Sequence, residues 1–243
     1  MIDLHSHILP QLDDGARDLE ESLEMARLAV ESGVSHMVAT PHCMEGGART
    51  VTAAVSYLQQ ALQTLQIPLS VLPGMELFGT QDTARLLREG RLLTLNGSRY
   101  PLIEFDFEGS GQEQTLILEQ VLREGYRPVV AHPERYSYIQ RQPRLLNDWV
   151  RMGCLLQINK GSLTGRFGHT PRELAMALAE RGFATLVASD AHSARYRTPW
   201  MYDAWQTLAR QISPLAAECL LLENPRRILN DAPIRFQEPD WFE

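Results

Sequence analysis

Seven short apolar runs, MIDL, VSHMVAT, LSVLPGM, YPLIEF, RPVVA, CLLQIN and ATLVAS, recur along the chain with amphipathic stretches between them. Each run is bounded by turn residues, as a strand covered on both faces by helices must be. The alternation continues through 243 residues without a linker, a low-complexity tract or an internal repeat. Parallel strands need crossovers, and the intervening helical stretches supply them. Seven strands with helices between them suit barrel-like closure better than an open sheet, so one α/β domain spanning 1–243 is expected.

The helical stretches carry their own punctuation. Between 18 and 30, Leu19, Leu23, Ala26 and Val30 share a face, with Asp18 and Glu21 set as a cap and its partner and Gly33 just past the end. Val51, Val55, Leu58, Leu62 and Leu65 repeat the pattern before Pro68. Thr170-Pro171 and Thr198-Pro199 each read as an N-cap followed by proline at the first helical position. The stripe Met201, Trp205, Leu208 and Ile212 reads as core, and His36 inside the second run reads as a core or helix-packing histidine.

Bulk properties exclude several function classes. A formal charge of −7 argues against a nucleic-acid surface, because phosphate backbones are held mainly by Lys and Arg. MIDLHSHILP has no basic segment before an apolar one, and no run approaches the ~20 apolar residues that cross a bilayer. A cytoplasmic protein without direct membrane insertion is expected. The three cysteines, Cys43, Cys154 and Cys219, are too scattered for a disulfide framework or a CxxC site, and the latter two read as small buried apolar residues.

In β/α barrels chemistry collects at the carboxyl ends of the strands. The residues there are His5 and His7 after the first run, then His42, Glu76, Glu104, His132 and Asn159, and finally Asp190 and His192. Five of the seven histidines stand at such ends. Partners spaced i and i+2 project to the same side of an extended chain, so His5 with His7, and Asp190 with His192, can each reach one cation. Glu104 lies in LIEF, where an unpaired buried carboxylate would cost several kcal/mol or take up a proton. Glu76, in a similar setting, is suited to bridge two cations. Of Asp13 and Asp14 in LDDG, one can bind a cation while the other caps or orients it.

Imidazole and carboxylate donors without thiolate suit Mn²⁺, Fe²⁺ or Zn²⁺, and nine candidates exceed what one ion can use, so two or three divalent ions are implied. Such a cluster generates hydroxide near neutral pH and neutralises phosphoryl oxygens during in-line attack, which points to phosphoester hydrolysis. A rival lies in TPHCMEGGART, where Cys43, five residues and Arg49 outline a cysteine-phosphatase loop. That string fixes only two residues, whereas the metal reading accounts for nine.

DLHSHILPQLDDG, TPHC, PGMEL, LNGSRYPLIEF, VVAHPERY, LLQIN and ASDAH, in that order, resemble the PHP superfamily (polymerase and histidinol phosphatase). Within it the chain is most similar to the bacterial manganese-dependent protein-tyrosine phosphatases linked to capsule and exopolysaccharide operons, from Met1 to about residue 230. The resemblance implies a distorted (β/α)7 barrel with metals at its carboxyl-end face. It implies that His5 and His7 share one ion with Glu76 and Asp190, that Glu104 and His132 join Glu76 on a second, and that Asp14, His42 and His192 hold a third. Arg135 and Arg197 match family arginines thought to grip the substrate phosphate. The implied partner is the phosphotyrosine tail of a membrane-anchored bacterial tyrosine kinase. Alternatives are a small-molecule phosphatase such as histidinol-phosphate phosphatase, a nuclease of DNA ends, and a metal-binding regulatory domain without turnover. Arg166 and His169 in SLTGRFGHTP receive no role from the sequence.

Overall fold

The computed structural model describes residues 1–42, 47–234 and 238–243. Eight short strands follow one another with helices between most of them: β1 (Ile2–Ser6), β2 (His36–Ala39), β3 (Ser70–Pro73), β4 (Glu76–Phe78), β5 (Leu102–Glu104), β6 (Val129–Ala131), β7 (Leu155–Asn159) and β8 (Ala184–Ala188). All pairings are parallel, in the orders β1-β2-β3 and β4-β5-β6-β7-β8. The two sheets meet through isolated parallel bridges, Ser6 with Ala191 and His42 with Glu76. The first seam lies at the carboxyl ends of β1 and β8, and the second joins the segment just past β2 to the first residue of β4; among the described residues the strands are laddered as two sheets linked by these bridges.

Alternation along the strands divides their side chains between two apolar clusters. Leu4, Val38, Leu102, Val129, Ala131, Leu186 and Ala188 belong to the smaller. Met37, Val71, Ile103, Val130, Leu156, Ile158 and Val187 join helix residues such as Leu58, Leu118, Trp149 and Leu178 in the larger. Leu118 and Leu156 are fully buried, so truncating either to alanine should cost about 2–5 kcal/mol.

The third apolar run divides into two strands. Pro73 has no N–H to donate, and a Cβ on Gly74 would sit 2.7 Å from Val38 Cγ1, so the chain passes close against β2 there. Gly74 N and Glu76 N then donate to Ala39 O and Pro41 O at 3.0 and 3.1 Å, and Glu76 enters the other sheet.

Helix boundaries depart from the sequence reading where tertiary partners intervene. Leu19–Glu31 is helical and Asp18 caps it, accepting from Glu21 N at 2.9 Å, but the Glu21 carboxylate turns to Arg17. Its buried residues include Ser22, Met25, Ala26 and Ala29, with Leu19, Leu23 and Val30 only partly covered. In Gly47–Thr64 the stripe is buried as far as Leu62, while Leu65 lies beyond the helix end and is exposed. Pro199 does not open a helix. Thr198 O and Trp200 O accept from Lys160 Nζ at 2.8 and 2.9 Å, and the helix starts at Tyr202. His169–Glu180 begins ahead of Thr170, behind Gly168. His36 is exposed, with Nδ1 2.9 Å from Ser35 Oγ, contrary to a core position. Cys154 is buried and its thiol is pushed up to about 12 by that burial, whereas Cys219 is only partly covered. Among the described residues no helix is long and apolar enough to cross a membrane.

Candidate metal centre

His5 is the penultimate residue of β1, and the bridge from Ser6 to Ala191 brings the segment after β8 beside it: His7 N donates to Ala191 O at 2.8 Å and Asp190 N to His5 O at 2.9 Å. The two i, i+2 pairs thus become one patch. His5 Nε2 and His7 Nε2 lie 3.3 Å apart, and each lies 3.5 Å from Asp190 Oδ1. Glu76 closes the group, with Oε1 3.2 Å from His5 and Oε2 3.3 Å from His7.

Glu76 also reaches outward. Its Oε1 lies 3.1 Å from His132 Nε2, which is 3.4 Å from Glu104 Oε1. Its Oε2 lies 3.1 Å from His42 Nδ1. At the rim, Asp14 Oδ1 stands 3.5 Å from His42 Nε2 and 3.4 Å from His192 Nε2. The structure therefore brings all nine sequence-nominated residues into four overlapping donor groups: His7, Asp14, His42 and His192; His5, His7 and Asp190; His5, Glu76 and His132; and His42, Glu76 and Glu104.

The donor set fits divalent cations. Two donors each about 2.1 Å from one ion stand roughly 3 Å apart, close to the separations seen here. Glu104, less buried than its apolar context suggests, has its pKa raised by burial and then by the neighbouring Glu76 charge, a repulsion that a cation would relieve. Burial pushes Glu76 up, but His5, His132 and His42 outweigh it and hold the carboxylate well below its usual range. His5 loses charge affinity to burial yet is lifted to about 9 by Glu76 and Asp190. His192 falls to about 4 through burial and the positive charge of His7 and Arg197, which leaves it the neutral imidazole that a metal requires.

Groups behind the donors fix their orientation. Asp13 Oδ2 lies 2.7 Å from His7 Nδ1 and accepts from His42 N at 3.0 Å, so of the two loop aspartates Asp13 orients and Asp14 faces the group. Glycine alone fits next in line, because a Cβ on Gly15 would stand 2.1 Å from His7 O. His5 Nδ1 lies 3.0 Å from Gln157 Oε1, a pairing that presents Nε2 to the centre. Phe107 stacks on His132 with centroids 5.7 Å apart and planes inclined by 7°. His132 and Asp190 both hold left-handed backbone, with φ of 33° and 51°. Such conformations in non-glycine residues cost of order 1–3 kcal/mol and cluster at functional sites.

Arg135 and Arg197 stand at the same face. Arg197 Nη2 pairs with Asp190 Oδ2, Arg135 Nη1 lies 3.5 Å from that oxygen, and Asn159 Nδ2 donates to it at 2.5 Å. The Arg135 guanidinium carbon sits 4.8 Å from the Phe107 ring and 4.2 Å from the Phe167 ring. Sequence reasoning missed Gln157, Phe107, Phe167 and the buried Glu134, whose Oε1 accepts from Asn159 N and Ser162 Oγ at 2.9 and 2.7 Å. Gln157 did carry a signal, as a polar residue inside a buried run. His169 is solvent-exposed and pairs with Glu173. Cys43 lies outside the described residues.

The family model for capsular polysaccharide synthesis, CpsB/CapC, matches residues 1–230. The chain belongs to the CpsB/CapC family. Tyrosine-protein phosphatase YwqE of Bacillus subtilis is 37% identical over 243 residues, covering 98% of this chain and 95% of that one. Tyrosine-protein phosphatase CpsB of Streptococcus pneumoniae is 32% identical over 242 residues, covering 95% and 99%. A crystal structure from work on YwqE and CpsB, described as unique metal-dependent tyrosine phosphatases, superposes with a TM-score of 0.94 at 36% identity over the whole of both chains. These findings bear out the resemblance read from the sequence. Histidinol phosphate phosphatase from Lactococcus lactis, at TM-score 0.53 and 10% identity over 86% of this chain and 92% of that one, shares the fold alone.

Proposed function

We propose that this CpsB/CapC-family chain is a metal-dependent protein-tyrosine phosphatase. The observation that carries the reading is the convergence of nine imidazole and carboxylate donors beside two arginines on one strand-end rim. The tyrosine-phosphatase activity for which the relatives are named supports it. His5, His7, Glu76 and Asp190 would hold one cation, Glu76, Glu104 and His132 a second, and Asp14, His42 and His192 a third, with Mn²⁺ favoured over Fe²⁺ or Zn²⁺. Bound cations supply Lewis acidity toward the phosphoryl oxygens and a nucleophile drawn from water near neutral pH.

The remaining work belongs to the chain. Arg135, stiffened between two rings, and Arg197 grip the non-bridging oxygens where charge develops, and a guanidinium does so bidentately. Their hold on Asp190 keeps both heads at the face before substrate arrives. Asp13 and Gln157 keep His7 and His5 in the tautomers that present Nε2. Tyrosinate, with a parent pKa of about 10, leaves without strong general-acid help, so no further acid is required. The physiological substrate is the phosphotyrosine tail of a membrane-anchored bacterial tyrosine kinase governing capsule or exopolysaccharide synthesis.

Turnover of a phosphotyrosine peptide with added Mn²⁺ and after exhaustive chelation, with histidinol phosphate assayed in parallel, tests the reading. Peptide hydrolysis that disappears on chelation and survives Cys43→Ser is expected. Activity that resists chelation and vanishes in Cys43→Ser would replace it with cysteine catalysis.

A further inference from the structure

Beside the metal face lies a cleft of about 90 Å³ to which the phosphatase reading gives no role. Three cationic side chains, Lys160, Arg166 and Arg197, line it against one carboxylate, Asp203, among the described residues. That local excess stands out in a chain of net charge −7. The three cations differ in what they already hold. Lys160 is buried, tied to Thr198 O and Trp200 O, with Asp203 3.9 Å away, so its charge is fixed in the cleft wall. Arg166 is exposed, and among the described residues no carboxylate pairs with it. Arg197 is divided: its terminal nitrogens face Asp190 and His192, while its Nε is buried without an acceptor.

The cleft and the metal face share walls. Asn159 donates to Asp190 on one side and lines the cleft on the other, and Arg197 does both as well. A peptide presenting its phosphate to the metal face therefore passes within reach of the cleft, one residue of extended chain covering about 3.3–3.6 Å. The donor supply suits a small anion and offers an apolar group little beyond Phe167 and Tyr196.

We propose that this cleft is an anion subsite that takes a second negatively charged group of the phosphotyrosine peptide, a side-chain carboxylate or a further phosphate close in sequence to the scissile one. The proposal rests on the phosphatase reading. Arg166, exposed and without a described carboxylate partner, closes on the incoming group, while Lys160 and Arg197 set the positive potential. Specificity for acidic context would then arise outside the metal cluster.

The test compares three phosphotyrosine peptides, flanked by alanines, by glutamates, or by a second phosphotyrosine, on the Mn²⁺-loaded protein and on Arg166→Gln. Wild-type protein should favour the anionic peptides in kcat/KM, and Arg166→Gln should remove about 3- to 10-fold of that preference through KM, as expected for a partly exposed ion pair. Turnover of the alanine-flanked peptide and metal content should stay unchanged. Loss confined to the glutamate arm assigns a carboxylate, and loss confined to the doubly phosphorylated arm assigns a phosphate; either supports the subsite. Equal loss on all three peptides, or no wild-type preference, overturns it and leaves the phosphatase reading standing. Failure of the wild type to cleave any of the three removes both.

Discussion

The two sides of the donor cluster are built differently. His5, His7, Glu76, His132 and Asp190 are almost wholly buried, set at or just past strand ends and wedged by Gln157, Phe107 and Asp13. Asp14 and His42 stand on loops, with side chains 66% and 42% exposed. Buried donors lose water that only a cation or a proton can replace, so their geometry is set before a metal arrives. Rim donors keep solvent as an alternative partner and give up less when the ion leaves. The buried side should hold its cations tightly, and the rim should exchange its ion and open to substrate.

The largest effect should come from Glu76, which lies within 3.3 Å of four imidazoles. Glu76→Gln should lose most bound metal and reduce turnover by at least about 10³-fold, since removing one partner of a buried charge cluster leaves the others uncompensated. Metal analysis beside kinetics checks it. Asp14→Ala should be milder, costing one metal equivalent and about 10- to 100-fold in activity, with the protein still folded. If Asp14→Ala strips the metal as thoroughly as Glu76→Gln does, the buried and exposed sides do not differ and the comparison fails.

Acidity sharpens the contrast without a mutation. In the metal-free chain His5 is lifted from its ordinary 6.5 to about 9, against burial, by Glu76 and Asp190. Its stabilising contribution is therefore fully present below pH 6.5 and is lost as pH rises through about 9. Metal must displace that proton, so metal affinity should climb over the same window. Thermal midpoints of metal-free protein should fall between those pH values while Mn²⁺-loaded protein holds or gains; parallel curves would mean that His5 faces no metal. The smallest effect belongs to Gln157→Leu. It should weaken metal binding by about 10-fold through loss of the hydrogen bond that orients His5, and isothermal titration would detect it.

Much of this was legible in the sequence, for a physical reason. Strands buried on both faces read as apolar runs, and a polar residue ending such a run has to be paid for, so the candidate donor positions announce themselves. His5, Glu76, His132 and Asp190 were found that way. What escaped depends on partners remote in sequence. The break at Gly74 follows from the passage of Val38, and the late helix start after Pro199 follows from Lys160 claiming two carbonyls. The stack of Phe107 on His132 and the two rings around Arg135 come from separate loops and leave no periodic trace. His36, read as a core or helix-packing residue, sits at the first position of β2, where its side chain meets solvent.

Anomalous scattering from crystals of the Mn²⁺-loaded protein tests the central claim most directly. Two or three manganese peaks should appear among the nine side chains, with the strongest beside Glu76 and any weaker one beside Asp14 and His42. A map with no peak there, from protein that still hydrolyses phosphotyrosine, would contradict the account.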